Sequence, residues 1–248
     1  YNEMKLILEE EKLESIDMKN IKILAPIPYP RRNIFCLGKN YFEHMKELNK
    51  TDIDLNKEEV KYPIYFSKIA NPAIGNKEDI IYDHRVTSMV DYEVELAVII
   101  GKDCRNLKPN EVKDYIFGYT IVNDITARDL QTNHRQWFRG KSLDTFCPMG
   151  PYIAYKDEVK YPVELNISCK VNGEIRQNSN TEKMMFDIDY IVSDLSKGIT
   201  LKSGDIIITG TPEGVGLGFI PPKLLNHGDI VECEIEGIGK LINKVICK

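Results

Sequence analysis

The feature that most limits how this sequence can fold is a series of short apolar or alternating runs, each bounded by Gly, Pro, Asn or Asp. Runs of about four to eight residues with such boundaries are typical of β-strands, whereas helices need longer stretches with a period of about 3.6. Because the runs do not alternate regularly with long helical patterns, a doubly wound parallel sheet is disfavoured. They are MKLILEE, NIFCLG, PIYFSK, VELAVII, FGYTIVND, PYIAY, ELNISCKVNGEIRQ, GDIIITG and DIVECEIEGIGKLINKVIC.

Turn signals and a few helical patterns complete the fold prediction. Asn172 and Gly173 form a clear hairpin signal, because Asn-Gly tolerates the positive φ angles of a type I′ turn. Gly237 and Gly239 indicate a looser turn between the last two strands. Helices are predicted over 40–48, 108–115, part of 127–138, and 187–197. We therefore predict a β-rich α+β fold.

Prolines indicate how the chain is divided. Pro26, Pro28 and Pro30 separate a small N-terminal strand segment, residues 1–30, from a main domain over residues 31–248. No repeat, low-complexity tract or Gly/Ser-rich linker interrupts the main domain.

Composition excludes several classes of protein. The 248 residues carry a net charge of −5, with 42% hydrophobic and 29% charged residues, which is typical of a globular domain and argues against nucleic-acid binding. No uncharged apolar stretch approaches the roughly 18 to 20 residues of a membrane span. Six cysteines lie scattered without a C-x-x-C pair, so we expect reduced thiols and a cytoplasmic protein. The stretch YNEMKLILEEEKLES is acidic where a secretory signal would be basic, so no signal peptide is expected.

The segment DYEVELAVIIGK, residues 91–102, combines a strand pattern with three carboxylates. Glu93 and Glu95 lie two apart and therefore share the face opposite the apolar side chains, with Asp91 one step earlier on the same row. Like charges on one face repel each other, and covering that face adds a desolvation cost. An exposed face would leave the carboxylates in water, whereas a covered face requires a compensating cation.

A second run, FGYTIVND, favours the covered face. It is apolar up to its end, where Asp124 stands, and Arg128 and Gln131 follow four and seven residues later. Both can face the aspartate from a helical turn. Three carboxylates without cysteine or histidine form a hard-oxygen site, which suits Mg²⁺ or Mn²⁺ better than zinc. We therefore predict that Glu93, Glu95 and Asp124 hold a divalent cation.

Six ordered stretches resemble the fumarylacetoacetate hydrolase family, in particular its short members of the acylpyruvate hydrolase and 2-hydroxyhepta-2,4-diene-1,7-dioate isomerase type. They cover nearly the whole chain from residue 33 on: CLGKNYFEHMKE, DYEVELAVIIGK, NDITARDLQ, GKSLDTFCPMGP, VNGEIRQ and GDIIITGTPEGVG. The resemblance implies a mixed β-sandwich roll of the family's C-terminal domain type, with a catalytic domain over 31–248. It also implies a homodimer and a divalent cation held by the same three carboxylates.

The resemblance further implies roles for residues outside the carboxylate cluster. The family's acid–base element matches His44 and Glu47, which share a face of a helix when three apart, so the carboxylate can orient the imidazole. Lys141 matches the lysine that stabilises developing negative charge. The polar segment 48–63 resembles a lid that orders over substrate. The substrate would be bound by Arg128, Gln131, Lys141 and Thr211.

These expectations favour a divalent-metal-dependent hydrolase that cleaves the C–C bond of acylpyruvate-type 1,3-dicarbonyl acids. A 2-oxo acid or dicarboxylate would chelate the cation, His44 and Glu47 would activate water, and the cation and Lys141 would stabilise the enolate. The same chemistry leaves open an oxaloacetate decarboxylase or tautomerase, and a 2-hydroxyhepta-2,4-diene-1,7-dioate isomerase/decarboxylase. A metal-binding protein without catalysis is a further alternative, against which the His-Glu pair argues.

Overall fold

The strands account for most of the regular structure. A computed structural model describes residues 17, 21–48 and 60–248 of the chain. Numbered in chain order, the strands are β1 (Ile34–Gly38), β2 (Ile64–Lys68), β3 (Ile80–Tyr82), β4 (Val90–Asp91), β5 (Val94–Ile100), β6 (Ile116–Asn123), β7 (Thr126–Ala127), β8 (Met149–Tyr155), β9 (Asn166–Val171), β10 (Glu174–Asn180), β11 (Ile206–Ile208), β12 (Ile230–Ile235) and β13 (Gly239–Cys247).

These strands form three sheets. The largest has the order β2-β1-β11-β5-β6-β8, in which β1 and β11 are parallel and the other neighbours antiparallel. The second has the order β10-β9-β12-β13-β3, with β13 and β3 parallel. The short strands β4 and β7 form a separate antiparallel pair, which lies beside the strand ends that carry the predicted cation ligands.

The helices are short and lie between strands. They are α1 (Phe42–Leu48), α2 (Arg128–Asn133), α3 (Phe138–Lys141) and α4 (Ile188–Ser196), and 3-10 turns cover Pro109–Tyr115, Lys156–Glu158, Thr181–Lys183 and Gly216–Gly218. The first turn of α4 is capped by Asp187, whose side chain accepts a hydrogen bond from the Tyr190 N–H. Within the described residues, no helix combines the length and apolar character needed to cross a membrane.

Strand β5 is covered on both faces, which explains why the apolar residues 96–100 follow one another without polar residues between them. All of its residues are buried. Leu96 and Val98 pack in a large cluster that extends into the second sheet, whereas Ala97 and Ile99 pack in a smaller cluster on the other face of the strand. Both faces are therefore covered, and Glu95, on the face of Ala97 and Ile99, is removed from water.

The predicted β-rich α+β class is confirmed. The runs from NIFCLG onward form strands, and Asn172 and Gly173, with φ of 52° and 82°, form the predicted hairpin turn between β9 and β10. The pattern over 108–115 forms a 3-10 helix with a proline at its start. The predicted strand MKLILEE lies outside the described residues, and the division at residue 30 stays a prediction.

Candidate active site

Three buried carboxylates meet where β5 begins and β6 ends. Carboxylate oxygens of Glu93, Glu95 and Asp124 lie within 4.8 Å of one another. The antiparallel register brings them together, since Glu95 pairs with Val122 and the Asp124 N–H donates to the Glu93 carbonyl at 2.8 Å. The Glu93 N–H in turn donates to Oδ1 of Asn123 at 3.0 Å. The three carboxylates that the sequence analysis predicted as cation ligands therefore lie together in the structure.

Glu93 is compensated by two cationic side chains. Its Oε1 lies 2.7 Å from Nη1 of Arg128, and its Oε2 lies 2.6 Å from Nζ of Lys141. Burial alone would raise the pKa of the Glu93 carboxyl, but the charges of Lys141, Arg128 and His44 outweigh burial and lower it to about 2. Glu93 is therefore held in its ionised form.

Asp124 lies between two buried lysines. Nζ of Lys68 is 2.7 Å from Asp124 Oδ1, and Nζ of Lys141 is 2.6 Å from Oδ2. Lys68 has no solvent exposure and also donates to the carbonyls of Ile125 and Lys141. Sequence reasoning missed Lys68, although a lysine at the end of the apolar run PIYFSK is a signal for a buried, paired charge.

Glu95 differs from the other two carboxylates. Within the described part of the chain it forms no ion pair, and its Oε2 accepts one hydrogen bond, from the Gly210 N–H at 2.7 Å. Burial, followed by the nearby charges of Asp124 and Glu93, raises its pKa well above the ordinary value. A divalent cation at this cluster would remove that repulsion, and an all-oxygen donor set suits Mg²⁺ or Mn²⁺. The cluster therefore fits such a cation, held by Glu93, Glu95 and Asp124.

The predicted acid–base pair lies on α1. His44 Nδ1 is 3.4 Å from Glu47 Oε2, and the His44 side chain is only 5% exposed. The Gly214 N–H lies 3.0 Å from each Glu47 oxygen. A Cβ at Gly218 would lie 2.0 Å from the Glu47 carboxyl carbon, so a larger residue here would displace the Glu47 carboxylate. Glu47 is thus held between the imidazole and a glycine-rich loop.

The predicted substrate-binding residues have mostly protein partners. Arg128 Nη1 also donates to Oε1 of Gln131 at 3.1 Å, whereas its buried Nη2 has no hydrogen-bond partner among the described residues. Thr211 donates through Oγ1 to the Val94 carbonyl and accepts from Nε2 of Gln177. Their roles toward substrate stay predictions, and the predicted lid over 48–63 lies mainly outside the described residues.

Asp91 does not lie in one row with Glu93 and Glu95, so this part of the prediction from the sequence pattern was wrong. It lies on β4, where it pairs with Thr126 of β7, and Glu93 is already outside regular strand. Its carboxylate accepts from Arg128 Nε at 2.9 Å and from the N–H groups of Gly216 and Leu217 at 2.7 and 2.9 Å. These partners explain how the carboxylate is compensated without joining the cluster.

Comparison with known proteins decides the family. Residues 33–246 match the family described as fumarylacetoacetate (FAA) hydrolase C-terminal. The chain belongs to the fumarylacetoacetate hydrolase family. It is 46% identical to the oxaloacetate tautomerase YisK of Bacillus subtilis over 229 residues, which cover 92% of this chain and 74% of that protein.

Solved structures confirm the family fold. A fumarylacetoacetate hydrolase from Exiguobacterium antarcticum superimposes with a TM-score of 0.83 at 40% identity, covering 99% of this chain and 87% of that one. Maleylpyruvate hydrolase from Sphingobium sp. SYK-6, in complex with manganese(II) and pyruvate, gives a TM-score of 0.81 at 30% identity, covering 99% and 81%. The expected family and its fold are therefore confirmed.

Proposed function

We propose that this family enzyme catalyses the divalent-metal-dependent keto–enol tautomerisation of oxaloacetate. The observation that carries the proposal is the buried His44–Glu47 pair, which is connected to the carboxylate cluster through one chain segment, since the Gly214 N–H donates to Glu47 and the Gly210 N–H donates to Glu95. Tautomerisation requires a proton to move between carbon and oxygen, which such a pair can perform. The 46% identity to the tautomerase YisK supports this reaction.

The residues of this chain have separable tasks in that reaction. A bound divalent cation would supply Lewis acidity at the keto oxygen of the 2-oxo acid. Lys141, with Nζ at the cluster, would stabilise the negative charge that develops on that oxygen. Arg128 would place an unpaired N–H of its Nη2 toward a substrate carboxylate.

His44 would carry the proton. In the keto-to-enol direction it removes a proton from C3, the C3–H electron pair forms the C2=C3 double bond, and the C2 oxygen receives the proton. The reverse direction returns the proton to C3. Glu47, at 3.4 Å from Nδ1, orients the imidazole. Only C–H and O–H bonds change, so no attacking water is needed.

Hydrolysis of an acylpyruvate to pyruvate and an acid is the second candidate, and the sequence alone favoured it. The similarity to a maleylpyruvate hydrolase that binds manganese(II) and pyruvate supports it. In that reaction His44 would take a proton from water rather than from C3, so the same residues serve both candidates. A structural relative described as a 2-hydroxyhepta-2,4-diene-1,7-dioate isomerase from Mycobacterium marinum, 35% identical, supports an isomerisation of the same enolate type.

One assay set separates these candidates. Purified protein with Mg²⁺ or Mn²⁺ is mixed with enol-oxaloacetate, acetylpyruvate or fumarylpyruvate, and loss of enol absorbance is followed while total oxaloacetate and pyruvate are quantified. Tautomerisation consumes enol absorbance with constant total oxaloacetate and no pyruvate. Oxalate, which resembles the chelating end of a 2-oxo acid, should inhibit competitively. Full activity in excess chelator, or pyruvate release that matches enol loss, would contradict the proposal.

Substitution of Lys141 by methionine tests the role of its charge. Because the charge that it would stabilise develops along the reaction, Lys141→Met should lower kcat more than it raises KM. The same change removes a positive charge that contacts Glu93 and Asp124 and would repel a bound cation. The affinity for Mn²⁺ should therefore not fall. Steady-state kinetics and Mn²⁺ titration measure both effects. An unchanged kcat would remove Lys141 from the mechanism.

A further inference from the structure

Asp91 is a buried carboxylate that neither belongs to the cation cluster nor lies at the acid–base pair. It has no solvent exposure. Oδ1 accepts the N–H groups of Gly216 and Tyr92, and Oδ2 accepts the Leu217 N–H and Nε of Arg128, at 2.7 to 2.9 Å. Four donors to one carboxylate make its charge well compensated and fix its orientation.

The donors from Gly216 and Leu217 belong to the segment 214–218, which we call the glycine loop. The same loop donates the Gly214 N–H to both oxygens of Glu47. The path of the loop is constrained by close contacts, since a Cβ at Gly216 would lie 2.6 Å from Asp91 Oδ1 and 2.5 Å from the Lys223 carbonyl oxygen. Asp91 thus holds the middle of the loop whose first residue holds Glu47.

Arg128 connects Asp91 to the cation cluster. Its Nε donates to Asp91, and its Nη1 lies 2.7 Å from Oε1 of Glu93. The guanidinium is planar and rigid, so these two contacts set the position of Asp91 relative to Glu93. A continuous series of charge-assisted hydrogen bonds therefore runs from Glu93 through Arg128, Asp91 and the glycine loop to Glu47.

We propose that Asp91 is a positioning residue that sets the geometry of the His44–Glu47 pair through the glycine loop. The inference rests on the proposed function for its kinetic consequence, but the geometry itself can be tested without any activity. Asparagine at this position has one acceptor oxygen and an NH₂ group, which would face the N–H of Leu217 or Nε of Arg128. Donors would then oppose each other, and the loop and Glu47 would shift.

The experiment compares Asp91→Asn with Glu47→Gln, and with Asp205→Asn as a matched control. Asp205 is also buried and bonded to an arginine Nε, that of Arg32 at 2.7 Å, and to the Lys202 N–H at 2.6 Å. Asp205 immediately precedes β11. It is separated from Gly210, which contacts the cluster, by up to about 16 Å of extended chain. Thermal unfolding of each variant shows how much stability each buried carboxylate contributes.

The first readout is the ¹⁵N spectrum of the His44 imidazole in histidine-labelled protein, assigned by its loss in His44→Gln. Asp91→Asn should shift the His44 ring-nitrogen signals in the same direction as Glu47→Gln, while Asp205→Asn leaves them unchanged. Gly216→Ala disturbs the same contact from the loop, because its Cβ would lie 2.6 Å from Asp91 Oδ1, and it should reproduce the shift. This variant provides the test if Asp91→Asn does not fold. An unchanged His44 spectrum in the folded variant would overturn the proposal.

The second readout is a double-mutant cycle on kcat. Misplacing the acid–base pair should lower kcat by about 10- to 100-fold in Asp91→Asn. If Asp91 acts through Glu47, the double variant should be no slower than the slower single variant, whereas independent effects would multiply. Multiplying effects would overturn the proposal. An inactive wild-type enzyme with an altered His44 spectrum in Asp91→Asn would instead reject the tautomerase assignment alone.

Discussion

Glu95→Gln is expected to abolish high-affinity binding of Mg²⁺ or Mn²⁺ and to lower activity by about 10³-fold, without lowering the Tm of chelator-treated protein. A Lewis-acid contribution of several kcal/mol corresponds to a factor of this size. Glu95 makes no ion pair within the described residues, and burial together with Asp124 and Glu93 disfavours its charge. The amide keeps the shape and an acceptor for the Gly210 N–H while removing that charge.

Asp124→Asn provides the contrast. Its carboxylate pairs with Lys68 and Lys141, both buried, so the substitution removes the carboxylate partner of Lys68 and leaves Lys141 paired with Glu93 alone among the described residues. Breaking a buried pair in this way typically costs about 3–5 kcal/mol. Titration calorimetry with Mn²⁺ and thermal unfolding of metal-free protein distinguish the two variants. Equal losses of Tm in both, or retained Mn²⁺ affinity in Glu95→Gln, would contradict the assignment of Glu95 as a cation ligand.

His44→Ala is expected to lower the tautomerisation rate by about 10²- to 10⁴-fold, the range for loss of a positioned general acid–base group. Mn²⁺ binding should survive, because His44 does not belong to the carboxylate cluster. Metal-dependent decarboxylation of oxaloacetate needs neither an attacking water nor a base at C3, so it should persist in part. Enol absorbance and pyruvate release, measured on the same samples, report the two reactions.

Glu47→Gln should cost less than His44→Ala, because the imidazole remains while its orienting partner loses its charge. Glutamine keeps an acceptor for the Gly214 N–H, which separates the effect of charge from that of position. If tautomerisation and decarboxylation fall in parallel in His44→Ala, the histidine serves both reactions as a common proton relay. That outcome would remove the mechanistic distinction between the proposed function and its alternatives.

Many of the strands and several residues of the candidate site could be predicted from the sequence, because their signals are local. Alternating and apolar runs specify the strands, and a spacing of two or three residues specifies which side chains share a face. A spacing of two residues on a strand pattern indicated Glu93 and Glu95, whereas the His44–Glu47 pair was indicated by the resemblance to the family. Asp124 joined them because it ends an apolar run that becomes the neighbouring strand β6.

The remainder depends on contacts between residues far apart in the chain. Lys68 reaches Asp124 across 56 positions, and Asp91 accepts from a loop 125 positions later. No spacing rule connects such residues. Arg128 was predicted to face substrate, but its contacts with Asp91 and Glu93 depend on the pairing of β4 with β7, two-residue strands that leave no periodic signal.

Three carboxylates at the site, those of Glu95, Glu47 and Asp91, are bonded to main-chain groups of the segment 210–217, not to its side chains. Gly210 donates to Glu95, Gly214 to Glu47, and Gly216 and Leu217 to Asp91. Because every amino acid except proline carries the same N–H, the side chain of a partly exposed residue in this segment, such as Glu213, can be exchanged without removing any of these donors. Position 213 can therefore vary in sequence while Glu95, Glu47 and Asp91 keep their main-chain hydrogen bonds, so the geometry of the site is insulated from changes at this position.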